Sequence, residues 1–405
     1  MPFTIALSGL SAASDDLSVT ANNIANSNTT GYKRSRSEFA EVYAVSSESL
    51  APNVTGSGVA LSNIAQQFEQ GKIDFTGNSL DLAIAGEGFF TLSDNGKTSY
   101  TRAGSFIVDR DGYVGDSSGR RLQVYPPLGN GTFNTGGLED LRLLTGQNSP
   151  QATSEVTLGV NLPATATAPQ VGVFDPNDPL SFNHTTSTTV YDSLGSPHTA
   201  SVYFLKGAAA NAWEAITYVD GNQVGAAQAV EFDSSGQLTT PATGIINPGP
   251  YDPGNGANPL EVGIDLQLTT QYGASYGVNT LAQNGFTTGR LTGIEVDQTG
   301  VVFARFTNGR ADEIGKVALS NFASLNSLGQ QDATNWVETF ASGDALRGEA
   351  GTASFGLVQA GALEASNVDL TKQLVNMITA QRNFQANAQV ISTADAITQT
   401  IINIR

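Results

Sequence analysis

Phe3, Leu10, Leu17 and Ile24 stand seven residues apart at the start of the chain, and Leu370, Met377, Phe384, Ile391 and Thr398 repeat that spacing at its end. On an α-helix this period lines side chains along one seam, so both ends are predicted to be helices that bury a stripe against another helix. Leu7, Ser14 and Ala21 fill the positions four residues on in the first stretch, as Leu374, Gln381, Ala388, Asp395 and Ile402 do in the second. The first helix is expected to end near Asn26, Asn28 and Gly31, which tolerate left-handed geometry, with Lys33, Arg34 and Arg36 placed where positive charge suits a helix C-terminus. Ser366 or Asn367 is the expected cap of the second helix. Leu370 to Ile402 would make a rod of about 50 Å at 1.5 Å per residue.

Ala, Ser, Thr, Asn and Gln fill most other positions of both stretches, and even the seams admit Ser14, Gln381 and Asp395. Helices with so thin an apolar stripe are marginal alone, because nucleation is costly. Both ends are therefore expected to be disordered in a free monomer and to order on stacking with neighbours. A heptad stripe does not report whether its partner lies in the same chain or another. An internal antiparallel pair and a multi-chain core both satisfy the pattern.

Between the ends the period changes to two. Leu80, Leu82 and Ile84 alternate with Asp81, Ala83 and Ala85, and Asn95-Gly96, Asp111-Gly112 and Asn308-Gly309 signal hairpins. Asp-x-x-Gly recurs at Asp109–Gly112, Asp116–Gly119, Asp192–Gly195, Asp233–Gly236 and Asp297–Gly300. Asp first and Gly fourth suits a type I turn, whereas a calcium cage needs several carboxylates in one loop, and only Asp109 and Asp111 come near that. The 44 glycines and a charged fraction of 14% also favour short strands and tight turns. Composition shifts near 146–150, opening a Thr, Ala and Pro-rich stretch to about 178, and a second turn-rich stretch covers 240–259. The fold class expected is mainly β with terminal α-helices, nested as three domains. Residues 1–70 and 364–405 form a coiled-coil core with its connecting segment, 71–145 and 285–363 an inner β domain, and 146–284 an inserted outer β domain.

A formal charge of −18 excludes a phosphate backbone as partner, since nucleic-acid affinity depends on cations that displace counterions. The excess lies in the middle, because residues 1–32 carry only Asp15 and Asp16 and no base, and 361–405 is balanced. Without cysteine there is no disulfide or thiolate chemistry. The opening residues have no basic n-region, and no apolar run reaches membrane-spanning length, so neither a Sec signal nor membrane insertion is expected. His184 and His198, with Asp192 between them, could be drawn as a metal site or a Ser–His–Asp triad, yet no helical His pair or nucleophile elbow supports either, and surface or turn histidines are expected. No catalytic, cofactor-binding or metal residue is assigned, and an enzyme is not expected.

Ser8-Gly-Leu-Ser-Ala-Ala13 and Ala21-Asn-Asn-Ile-Ala-Asn-Ser-Asn-Thr-Thr-Gly-Tyr-Lys33 resemble the shared opening of the flagellar rod and hook axial proteins. Ser366-Asn-Val-Asp-Leu370, Leu374-Val-Asn-Met-Ile378 and Ala380-Gln-Arg-Asn-Phe-Gln-Ala-Asn-Ala388 resemble its closing. Phe75-Thr-Gly-Asn-Ser-Leu-Asp-Leu-Ala-Ile84, Gly86-Glu-Gly-Phe-Phe90 and Tyr100-Thr-Arg-Ala-Gly-Ser-Phe106 resemble the inner domain of hook and rod proteins alike. Thr188-Thr-Val-Tyr-Asp-Ser-Leu-Gly195 with His198, then Gly285-Phe-Thr-Thr-Gly289 and Ile314-Gly-Lys-Val-Ala-Leu319, resemble the hook member's outer domain and its return. Distal rod members are shorter and lack that insertion.

The resemblance implies a structural subunit that self-assembles into a curved hollow polymer, the hook, transmitting torque from rod to filament as a flexible joint. It places Phe3, Leu10, Leu17, Ile24, Leu370, Leu374, Met377, Phe384, Ile391 and Ile402 at the assembly interface. It further implies export through the flagellar type III apparatus, an extracellular location, and distal rod, hook cap and hook–filament junction proteins as partners beside copies of the chain itself. The alternatives are another rod or hook-associated axial protein and, from a different class, a secreted β-rich hydrolase or adhesin.

Overall fold

A computed structural model describes residues 2–42, 56–129, 131–143, 146–332 and 334–403; the domain boundary expected at 145 falls outside them. Two α-helices, α1 (Pro2–Ala25) and α2 (Leu370–Asn403), frame a body of strands. The mainly β fold with helical ends agrees with expectation. The cap of α2 does not: Asp369 Oδ1 accepts from Lys372 N at 3.1 Å, while Asn367 is engaged elsewhere. Asp competes well for this role because its carboxylate also meets the positive end of the helix dipole.

The described residues divide into two compact units. One comprises those of Met1–Leu144, Gly293–Arg305 and Ala311–Arg405; the other those of Thr145–Thr292 and Phe306–Arg310. In the first, the strands β1 (Ser35–Glu41) and β2 (Val59–Gln66) form an antiparallel pair. The long strand Ala311–Asn321 pairs with Arg121–Tyr125 and with Phe89–Asp94, and the sheet continues through Lys97–Thr101 and Asn335–Val337. Leu82, Ala83 and Ile84 are all buried, so the alternation seen there marks a strand covered on both faces rather than an amphipathic one. A second core is aromatic: Phe89, Tyr100, Phe322 and Trp336 gather Phe68 in edge-to-face contacts, and Trp336 Nε1 donates to Gln66 Oε1 at 2.9 Å, tying β2 to the sheet.

The second unit is a sandwich. One sheet is an antiparallel meander from His184–Tyr191 through Pro197–Lys206, Ala212–Val219 and Asn222–Phe232 to Leu238–Thr240. The other sets Glu155–Asn161 between Gly277–Gln283, antiparallel, and Gly263–Asp265, parallel. Ala200, Val202 and Phe204 alternate inward from the meander and meet Val156, Leu158, Val160 and Ile264 in one core.

The five Asp-x-x-Gly segments named above are turns, whereas another, Asp74–Gly77, begins in the strand Ile73–Phe75. In each of the five, the Gly amide bonds the Asp carbonyl at 3.0 or 3.1 Å, the Gly has φ between 81° and 86°, and the Asp carboxylate accepts two further amides. In each turn one carboxylate oxygen is thereby committed to the backbone. Asn95-Gly96 is a two-residue turn with φ positive at both positions; Asp220-Gly221, which the sequence reading passed over, is another.

Phe204 is fully buried in the sandwich. Phe204→Ala should destabilise that unit by about 3–5 kcal/mol, read as a lower urea midpoint in near-ultraviolet dichroism with the helical signal at 222 nm unchanged.

Candidate functional site at the paired chain ends

The helices run antiparallel within the first unit. Asn23 Nδ2 lies 3.5 Å from Gln373 Oε1 at one end, and further along Gly9 faces Asn387 so closely that a Cβ there would stand 2.7 Å from its Oδ1. The residues turned inward are Ala6, Ala13 and Thr20 from α1 and Gln373 and Ala380 from α2. They too are seven apart, three places on from the Phe3 and Leu370 rows and one place before the Leu7 and Leu374 rows. Small side chains win the inner seam because they let the helix axes approach, which leaves the larger apolar row on the flanks. Phe3, Leu370, Leu374, Phe384 and Ile402 are exposed; Leu10, Leu17, Ile24, Met377 and Ile391 are half-buried.

Where the helices meet the β body, the sequence has built a polar clamp. Glu364 has a fully buried side chain, and its Oε1 accepts from Lys33 Nζ at 2.6 Å and Gly71 N at 2.7 Å, while Oε2 faces Arg102 at 3.2 Å. Lys33 also donates to Glu69 O and Arg102 to Gly86 O, with the guanidinium over the Phe89 ring at 5.3 Å. Burial holds both cations below their usual pKa, and the Glu364 carboxylate opposes that drift. Lys33 is thus a buried ion-pair partner and not the helix-end charge that its position suggested.

The amides around this cluster act as backbone surrogates. Asn23 accepts from Ser35 N and donates to Ser35 O, both at 2.8 Å, and Tyr32 Oη donates to Asn22 and Asn23. Asn367 accepts from Arg34 N at 2.8 Å and donates to Gln67 O and Glu69 O. Gly31, at φ 70°, donates to Glu364 O and packs so tightly on Arg102-Ala103 that a Cβ would lie 2.4 Å from Ala103 N. Sequence reasoning by hydrophobic period passed over Glu364, Arg102 and Asn23, and gave Lys33 and Asn367 helix-end roles that the structure replaces. The available signal was the crowding of Asn just before Lys33, the first base of the chain.

The histidines differ from expectation in another way. His198 lies in a strand, with Nδ1 2.6 Å from Asp220 and Nε2 3.3 Å from Asp192, and Asn255 Nδ2 donates to Asp192 at 2.6 Å. His184 is remote from that group and stacks on Tyr276 at 4.2 Å. Among the described residues no three His, Cys, Asp or Glu side chains converge as a metal group. Burial pulls the His198 pKa down, but the bonds to Asp220 and Asp192 outweigh it and leave a net rise; burial raises Asp192, but Asn255, Ser196 and His198 bring it to about 2.

Two expectations follow from these clusters. Glu364→Gln leaves two buried cations without a counter-charge and should cost the first unit about 3–5 kcal/mol, whereas Lys33→Met with Glu364→Leu should cost less than the sum of the single changes. A raised imidazole stabilises below its unfolded pKa and loses that effect as pH rises through its folded value. The second unit's urea midpoint should therefore fall from pH 6 to pH 8 in the wild type and stay flat in His198→Gln.

Residues 3–33 match the model described as flagella basal body rod protein, and 83–173 that of the flagellar hook protein FlgE/F/G D1 domain. Residues 161–286 match the flagellar basal body protein FlaE D2 domain, and 359–404 the flagellar basal body rod FlgEFG protein C-terminal model. The chain is 36% identical over 418 residues to the flagellar hook protein FlgE of Escherichia coli, covering 100% of both. It is 31% identical over 440 residues to that of Borreliella burgdorferi, covering 98% of each. The crystal structure of Helicobacter pylori flagellar hook protein FlgE2 aligns with a TM-score of 0.55 over 72% of this chain and 100% of that one, at 14% identity, and so shares its fold. With end-to-end relatives of this kind, the chain belongs to the flagellar hook protein family.

Proposed function

We propose that the chain is the structural subunit of a bacterial flagellar hook. It self-assembles into a curved hollow polymer, outside the cell, that transmits torque from rod to filament as a flexible joint. It is not an enzyme. The observation that carries the assembly mechanism is the division of labour on the helices: the inner seam is small and polar, and the large apolar side chains are left outward. A row of this kind, exposed at Phe3, Leu370, Leu374, Phe384 and Ile402 and half-buried between, is a surface for other copies.

The paired helices then form the innermost layer of the polymer and line its channel, as a coiled-coil core of residues 1–70 and 364–405. The β domains, 71–145 with 285–363 and 146–284, lie outside it. Phe3, Leu10, Leu17, Ile24, Leu370, Leu374, Met377, Phe384, Ile391 and Ile402 supply the apolar contacts between subunits. A bent polymer that rotates must lengthen and shorten every contact in each turn, and thinly apolar, polar-rimmed interfaces can slide without exposing large hydrophobic areas. The partners are the distal rod protein, the hook cap and the hook–filament junction proteins, and delivery is by the flagellar type III apparatus. No helix of the described residues is long and apolar enough to cross a membrane.

Leu17→Asp and Phe384→Asp should each abolish polymers seen by electron microscopy while both β units keep their wild-type unfolding transitions. Phe384 is the cleaner probe, being exposed in the free chain. Normal polymers from both variants would overturn the assignment of the interface.

A further inference from the structure

Between α1, α2 and β1 lies a cavity of about 190 Å³ whose charged lining is Arg34, Arg36 and Lys372 against the single carboxylate of Asp16. Arg34 Nε and Ser37 Oγ, both in that lining, are buried without a hydrogen-bond partner. The outer guanidinium nitrogens of Arg34 and Arg36 reach only Glu69 and Glu38, on the exposed rim. In a chain with a formal charge of −18, three cations on the lining of one cavity, with Arg34 Nε and Ser37 Oγ idle beside them, form a receptor for a carboxylate.

Helix α2 supplies a complementary group about two turns before its other end. Asp395 is the sole acid within α2, is exposed, and is held only by Gln399 Nε2 at 3.0 Å. Lys372 and Asp395 are about 35 Å apart along the helix at 1.5 Å per residue. A cationic socket and an anionic plug at opposite ends of one rod cannot satisfy each other within a copy. They can do so between copies stacked head to tail, and such a contact propagates instead of closing. We infer that the cavity at Arg34, Arg36 and Lys372 is the socket for Asp395 of a second copy stacked along the helix axis, and that this pair sets the axial register of the polymer. The inference rests on the polymer reading above.

Charge exchange in the full-length chain tests it. Asp395→Lys and Lys372→Asp should each raise the critical concentration for polymerisation roughly tenfold, the scale of an interfacial charge reversal. The double exchange, Lys372→Asp with Asp395→Lys, should return it most of the way, and monomer dichroism should match the wild type throughout. Arg34→Gln, which removes charge without reversing it, should give a smaller loss and a weaker dependence on added salt. If Asp395→Lys polymerises like the wild type, or if the exchange fails to rescue Lys372→Asp, the pairing is overturned. In the second case the socket takes another carboxylate or a free anion. Failure of the wild type itself to polymerise would instead overturn the polymer reading.

Discussion

Glu364 receives Lys33, Arg102 and the Gly71 amide, and through them four distant stretches of chain are fixed to one carboxylate. A buried ion pair of this kind is a poor source of net stability, because desolvation offsets most of the Coulomb gain. Its strength lies in intolerance of error: with any member displaced, a charge is stranded where water cannot reach. That suits a junction whose task is to set the direction in which two long helices leave a β body. The amides of Asn23 and Asn367 extend the same logic, since each satisfies backbone groups on a segment far away in sequence.

The architecture was legible in the sequence where a repeating physical rule generated it. Helix boundaries fell close to prediction because seven-residue spacing and the Asn-rich stop were both present, and the Asp-x-x-Gly turns closed as their chemistry required. The inner seam lies one residue to the side of the expected Leu7 and Leu374 rows because the expectation followed the largest apolar side chains. The pair instead buried Ala6, Ala13 and Ala380, which carry less hydrophobic surface but permit closer backbones. The clamp was invisible to periodicity altogether. Lys33 and Glu364 lie 331 residues apart, and neither stands in a pattern that marks it.

The inner and outer faces of the helices divide two demands that conflict. A seam of Ala, Gln, Asn and Thr holds a pair together weakly but closely, and the Leu, Met, Phe and Ile flanks remain for other contacts. Had the large residues filled the inner seam, the monomer would be more stable and the outer surface more polar. A subunit that polymerises gains from the opposite allocation.

The five aspartate turns bear on how the chain reaches its fold. Every bond within them joins groups no more than four residues apart, so each can close without any partner from elsewhere in the chain. Loop closure over such distances is fast compared with the pairing of strands separated by a hundred residues or more. The sheets of both units contain distant pairings, such as Leu319 with Phe90 and Leu158 with Leu281. For a chain that builds these pairings from an extended state, pre-set hairpin corners shorten the search: they reverse direction at fixed points and present short strand pairs already in register, so the slow step becomes the joining of hairpins rather than of single strands.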